Sequence, residues 1–311
     1  MQRKLIKHIV LFFIPVLLSC VLVEYLVREI PESYQYNAAH LKANKDDIEV
    51  LVLGSSQSMN AINAAIVDAP TLNLASGDQH HDTDFKIAKA LLPRFPKLKT
   101  VVLEVSYNHF EQQHNGSDFW KNSVYLEYYG INNFDHNTYF KDRSLFLAQH
   151  TLFSNKLYNY YVKNERNTGF NGYGFDTLNF NGTFHKWDYN ESIIAKRNFK
   201  INLNPSLDTW HTNSELFIEI LDYFRSKNIQ VIVVQVPMHK SFLAKRDPLI
   251  LLRKNEIVTH IKTKYPEVIH VNHEEDTLRF IVRDFINPSH LNPKGAAKFT
   301  KILSGVINRQ R

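Results

Sequence analysis

Val50-Leu51-Val52-Leu53-Gly54-Ser55-Ser56 is the stretch that decides how this chain folds. Alternate residues of a strand face opposite sides of its sheet, so four consecutive apolar residues do not suit a half-exposed strand. They suit one covered on both faces, as in a parallel sheet flanked by helices. Gly54 permits a sharp turn, and Ser55-Ser56 opens a polar, helix-compatible segment. A serine there sits above the sheet edge, where the first amides of the next helix favour negative charge. That placement suits a nucleophile, provided a base arrives from elsewhere in the chain.

The same signature recurs downstream. Runs rich in Val, Ile and Leu predict strands at 49–53, 71–74, 100–105, 230–236 and 268–271. Helical patterns occupy 82–92, 214–227 and 249–264, and a last helix is expected over 293–308 with Asn292 as N-cap and Pro293 at its first position. This alternation predicts a doubly wound α/β sheet with its ligand site at the carboxyl ends of the strands. Residues 48–311 form the expected α/β domain, interrupted by an insertion at about 109–206 that is rich in Tyr, Phe, Asn and His. Segments such as Tyr125-Leu126-Glu127-Tyr128-Tyr129 and Trp187-Asp188-Tyr189-Asn190 mix aromatic faces with amides and carboxylates, a mixture that suits sugar rings. It equally suits an insertion whose aromatics form their own small core.

Composition narrows the function. The 311 residues are 44% apolar and 22% charged, and the net charge of +6 is scattered rather than gathered into the basic stripe that nucleic-acid binding requires. The single cysteine, Cys20, allows neither an intramolecular disulfide nor a cysteine-based metal site. No two-histidine metal spacing and no phosphate-cradling glycine loop stands out, so no cofactor is expected. Residues 1–30 are a different material: Arg3, Lys4, Lys7 and His8 precede an apolar run that begins at Ile9 and continues to Val27 with Glu24 as its only charge. No small-x-small cleavage site follows, which indicates an uncleaved signal anchor, with a buried N-terminal helix as the alternative. Leu17-Leu18-Ser19-Cys20 loosely matches a lipoprotein box, but the apolar sequence running past Cys20 argues for a span. The leading cations place the body of the protein outside the cytoplasm, with residues 31–47 as a membrane-proximal stalk. An extracytoplasmic body without disulfides points to a bacterial inner membrane.

The base is offered by Asn287-Pro288-Ser289-His290-Leu291-Asn292, in a loop ahead of the last helix and at the same sheet edge as Ser56. Gly54-Ser55-Ser56, Asn73-Leu74-Ala75-Ser76-Gly77, Val101 to Asn108 and the His290 block, in that order, resemble the SGNH (GDSL-like) hydrolase superfamily. The closer resemblance is to its membrane-anchored branch, the DltD-like and alginate-acetylation proteins that act on bacterial surface polymers. The resemblance covers roughly residues 48–303 and implies a flavodoxin-like sheet and a serine esterase or O-acetyltransferase acting on a surface polysaccharide. It implies Ser56 as nucleophile and oxyanion donor, Gly77 and Asn108 as further oxyanion donors, and His290 as general base. A further reading makes the protein an accessory subunit presenting acyl groups supplied by a multi-spanning membrane acyltransferase. The sequence departs from the family at Asn287, where an Asp three residues before the histidine is usual. Three arrangements satisfy this: a Ser56–His290 dyad oriented by Asn287 or a backbone carbonyl, an imidazole oriented by Asp284 instead, or a degenerate scaffold that binds polysaccharide without turnover. His239 and His109 are candidate substrate contacts, Glu104 a cleft residue or a solvated one, and Asp82 and Asp84 charges complementing a helix N-terminus.

Overall fold

The computed structural model describes residues 2–166 and 169–310. They divide into two compact units, one formed by residues up to 34 together with 116–168, the other by 35–115 together with 169–311.

The larger unit is the α/β domain. Strands β1 (Val50–Leu53), β2 (Thr71–Asn73), β3 (Thr100–Glu104), β4 (Gln230–Gln235) and β5 (Ile269–Asn272) form one sheet in the order β2-β1-β3-β4-β5, every neighbouring pair parallel. This is the flavodoxin-like order, and all five strands were legible as apolar runs. Val50, Val52, Val102, Ile232 and Val234 share one face, packed against Phe299, Leu303 and Ile307 of the last helix and Ile250. By alternation the intervening residues point to the opposite face. There a helix at His81–Leu91 meets the helix at Leu207–Ser226, with the Phe85 and Tyr223 rings 5.3 Å apart. The latter helix starts seven residues ahead of its predicted position, with Ser206 as its N-cap.

The last helix, Pro293–Asn308, has the bounds its sequence predicts: Asn292 Oδ1 accepts from the N–H groups of Lys294 and Gly295, both at 3.0 Å. One element was read only as a loop. Phe285–Asn287 and His290–Leu291 are two short antiparallel strands, β6 and β7, joined by Pro288-Ser289.

The smaller unit contains the long N-terminal helix, Gln2–Arg28, which is long and apolar enough to cross a membrane. It also holds its own small core, in which Val27, Val124, Leu145 and Phe153 are buried with Trp120, Tyr128 and Phe146 packed around them. Short helices and two π-helical stretches, Tyr125–Tyr129 and Tyr158–Val162, replace regular periodicity here, which is why this region gave no clear pattern in sequence. The segment after Ser33 is helical to Asn44, and His40 Nε2 hydrogen-bonds the Thr71 carbonyl at 3.1 Å.

Candidate active site

The sheet order places a topological switch between β1 and β3, where the chain leaves in opposite directions and a crevice opens at the strand ends. Ser56 begins a short helix, Ser56–Ala61, immediately beyond β1. Ser55 caps it: its Oγ accepts from Gln57 N–H at 3.1 Å and donates to Glu104 Oε1 at 2.7 Å. Ser55 is therefore a turn residue, and Ser56 is left free to face the crevice. Its own N–H, in the first turn, has no intrahelical acceptor.

His290 Nε2 lies 2.7 Å from Ser56 Oγ, across 234 residues of sequence. The β6–β7 hairpin explains the spacing of the ring's other partner. Asn287 and His290 are directly paired across the two strands, so their side chains are neighbours. Asn287 Oδ1 lies 2.9 Å from His290 Nδ1 and also accepts from Ser289 N–H at 3.0 Å, an Asx-turn that identifies this atom as the amide oxygen. The Nδ1 proton then points to Asn287, and the Nε2 lone pair faces Ser56. Burial holds the His290 pKa down to about 4, against the opposing charge of Glu104, so the ring is a neutral base at physiological pH.

Asp284 does not orient the imidazole. It is fully buried, and its Oδ2 accepts from Lys298 Nζ at 2.6 Å and from Ile281 N–H at 3.0 Å. The carboxylate is engaged in holding the last helix to the loop before β6. Gly295 permits this approach, since a Cβ there would collide with the Asp284 carbonyl oxygen.

Glu104 is the residue whose weight sequence reasoning missed. It is neither solvated nor a cleft wall but fully buried. Its Oε2 accepts from the N–H groups of Ser55 (3.0 Å) and Ser58 (2.8 Å), and its Oε1 from Ser55 Oγ. One carboxylate thus pins both sides of the Ser55–Ser58 turn. The available signal was an acid closing an otherwise apolar buried strand, Thr100-Val101-Val102-Leu103-Glu104. Asp84 is likewise buried rather than a solvated helix-end charge: its Oδ1 accepts from Gly54 N–H at 3.1 Å and Gln79 Nε2 at 2.7 Å, and burial raises its pKa well above the ordinary value.

The oxyanion candidates fare differently. Ser76 N–H donates to the Gly54 carbonyl at 3.0 Å, which sets the Ser76-Gly77 turn against the Gly54-Ser55-Ser56 turn. Asn108 directs its amide to Gln112 Oε1 at 2.6 Å, so its Nδ2 is engaged there. The two histidines expected to touch substrate are both buried. His109 stands behind Glu104, its Nε2 3.5 Å from Oε1, with its ring centroid 4.7 Å from that of His81. His239 caps the turn Lys240–Leu243 through Ser241 N–H, and packs on Phe184 (4.8 Å) and Phe285 (5.6 Å). Its main-chain N–H donates to the Pro288 carbonyl at 3.0 Å, so it steadies the His290 hairpin from behind.

A cavity of ≈ 250 Å³ adjoins that hairpin, lined by Trp187, Arg197, Phe199 and Lys200 together with Asn287 and Ser289. A larger one of ≈ 450 Å³ lies at the opposite, amino ends of the strands, beside Glu49, Thr100 and Gln230, away from Ser56. Among the described residues no group of three His, Cys, Asp or Glu side chains is arranged to hold a metal ion.

No protein-family model and no curated protein matches this chain. Solved structures do resemble it. One is a candidate acylhydrolase from Bacteroides fragilis NCTC 9343, at 9% identity over 91% of this chain and 93% of that one, with a TM-score of 0.40. Another is described as a candidate platelet activating factor from Streptococcus pneumonia, at 10% identity over 94% and 99%, with a TM-score of 0.41.

Proposed function

We propose that this protein is an acyl-ester enzyme, a serine esterase or O-acyltransferase of the SGNH type, tethered to the membrane by its N-terminal helix and acting outside the cytoplasm on a surface polysaccharide. The observation that carries the chemistry is the Ser56 Oγ–His290 Nε2 contact of 2.7 Å with Asn287 Oδ1 behind Nδ1. His290 takes the Ser56 proton as Oγ attacks the acyl carbonyl, and the developing oxyanion meets the Ser56 N–H and the Gly77 turn. Collapse expels the alcohol, which leaves with the proton from His290. The acyl-serine then passes its acyl group to water or to a sugar hydroxyl by the reverse steps. The buried charge of Glu104 favours the transient imidazolium, a task Asn287 performs only by orientation. Trp187, Phe199, Arg197 and Lys200 beside the hairpin supply stacking faces and cations suited to a glycan. In such a reaction the acyl donor comes either from a small ester or from a membrane acyltransferase.

Hydrolysis of p-nitrophenyl acetate by the detergent-solubilised full chain is the direct test. Ser56→Ala is expected to reduce the rate at least about a thousandfold, as loss of a serine nucleophile does elsewhere. Equal rates in the two proteins would remove Ser56 from the mechanism.

Asn287 favours a second reading, a polysaccharide-binding or assembly factor on the same scaffold with no turnover. It predicts glycan binding that survives Ser56→Ala, with no esterase activity in either the native or the Asn287→Asp protein.

A further inference from the structure

The last turn of the N-terminal helix is built into the smaller unit. Glu24 accepts from Ser144 Oγ (2.8 Å) and from the N–H groups of Leu145 (3.0 Å) and Phe146 (3.1 Å), closing the start of a short helix at Leu145–Ala148. Arg28 pairs with Glu127 and donates to the Arg143 carbonyl at 2.9 Å, and Tyr161 Oη donates to the Leu26 carbonyl at 3.1 Å. At 1.5 Å of rise per residue, Glu24 to Arg28 lies within roughly 8 Å of Val23, where the uncharged run ends. Groups bonded to this turn therefore sit where hydrocarbon gives way to head groups.

Large apolar side chains stand exposed on the same unit: Phe140 at 91%, Leu147 at 66% and Val162 at 67%. Tyr139 and Tyr158 are exposed with them. They are not surplus core, because the unit's own core is filled by Val27, Val124, Leu145 and Phe153. Cations lie over its rings, Lys163 Nζ 5.5 Å from the Tyr158 centroid and the Arg166 guanidinium 5.3 Å from that of Tyr160. Apolar and aromatic bodies with cations beside them are what a membrane interface selects. The helix itself is exposed at Val21, Leu22 and Tyr25, up to the turn whose Glu24 binds Ser144, Leu145 and Phe146.

We propose that Phe140, Leu147 and Val162 together form a membrane-seated collar, sunk about 5–10 Å into the head-group boundary around the exit of the N-terminal helix. Its occupant is the lipid bilayer, and the inference rests on reading that helix as a span. The collar turns a one-helix tether into a broader interfacial anchor.

Single spin labels in a Cys20→Ser background test it in the full chain, reconstituted in lipid nanodiscs. Labels at Leu147→Cys and Val162→Cys are expected to shift their collision ratio toward oxygen over a water-soluble nickel chelate, in the direction of a Phe12→Cys label in the helix. A label at Leu278→Cys, 94% exposed on the α/β unit, is the aqueous reference. If Phe12 reads lipid while 147 and 162 match 278, the collar is wrong and the span stands; such a patch would await a protein instead. If Phe12 itself reads aqueous, the span fails and the collar with it.

Discussion

At the scale of single residues, the site turns on where its negative charge sits. A triad keeps the acid behind the imidazole; here an amide occupies that place, and a buried acid, Glu104, lies beneath the Ser55-Ser56 turn. In serine proteases the Asp-to-Asn change costs around four orders of magnitude. Asn287→Asp is therefore expected to raise the p-nitrophenyl acetate rate by about tenfold or more, and an unchanged rate would count against catalysis by this dyad. Glu104→Gln is expected to lower the native rate, and to lower it less in the Asn287→Asp background, since both carboxylates then act on one imidazolium. Equal losses in both backgrounds would reduce Glu104 to a scaffold for the turn. The pH profile follows from the depressed His290 pKa of about 4: activity rises as pH climbs through that value and is level to neutrality. Asn287→Asp moves this limb up and Glu104→Gln moves it down.

At the scale of elements, two tight approaches hold the site together. Gly54 has φ +139°, and a Cβ there would stand 2.7 Å from Glu104 Cβ. Gly54→Ala is expected to cost about 1–3 kcal/mol in urea unfolding and most of the activity, through strain and displacement of the carboxylate. Gly305, on the last helix with nothing within 4 Å of an added methyl, is the control. Gly305→Ala should stabilise by about 0.5–1 kcal/mol. A stabilised Gly54→Ala protein would mean that the turn does not need glycine. The β6–β7 hairpin is the second approach. A two-residue turn between paired positions makes the spacing of Asn287 and His290 a cross-strand contact, so the sequence interval of three becomes a hydrogen bond.

At the scale of the whole molecule, buried neutral histidines set the response to acid. Burial holds His239, His270 and His290 to about 4 and His109 to about 3, whereas the unfolded chain protonates them near 6.5. Between these values the unfolded state binds more protons, so their contribution to stability is present above pH 6.5 and is lost as pH falls toward 4. Asp84, whose pKa burial raises, works in the opposite direction. The melting temperature is expected to fall over that window in scans of the reconstituted protein, and a flat profile would contradict the burial of these rings. The five strands and the last helix were legible because each rests on local pattern, apolar runs and an N-cap; Ser56 and His290 were singled out by motifs at strand ends. Residues 116–166 were not legible, because π-helical turns and a core shared with Val27 leave no period to read.

The sequence by itself determined the parallel sheet, since residues apolar on both faces have to be covered on both. It also determined the order of the site motifs along the chain. Only the tertiary structure decided which acid serves Gly54-Ser55-Ser56. The sequence offers Glu104 at a strand end and Asp284 in the loop ahead of His290, but a carboxylate's role depends on the donors that surround it. Those donors, Ser55 and Ser58 for Glu104 and Lys298 for Asp284, come from other elements and meet only when the chain is folded.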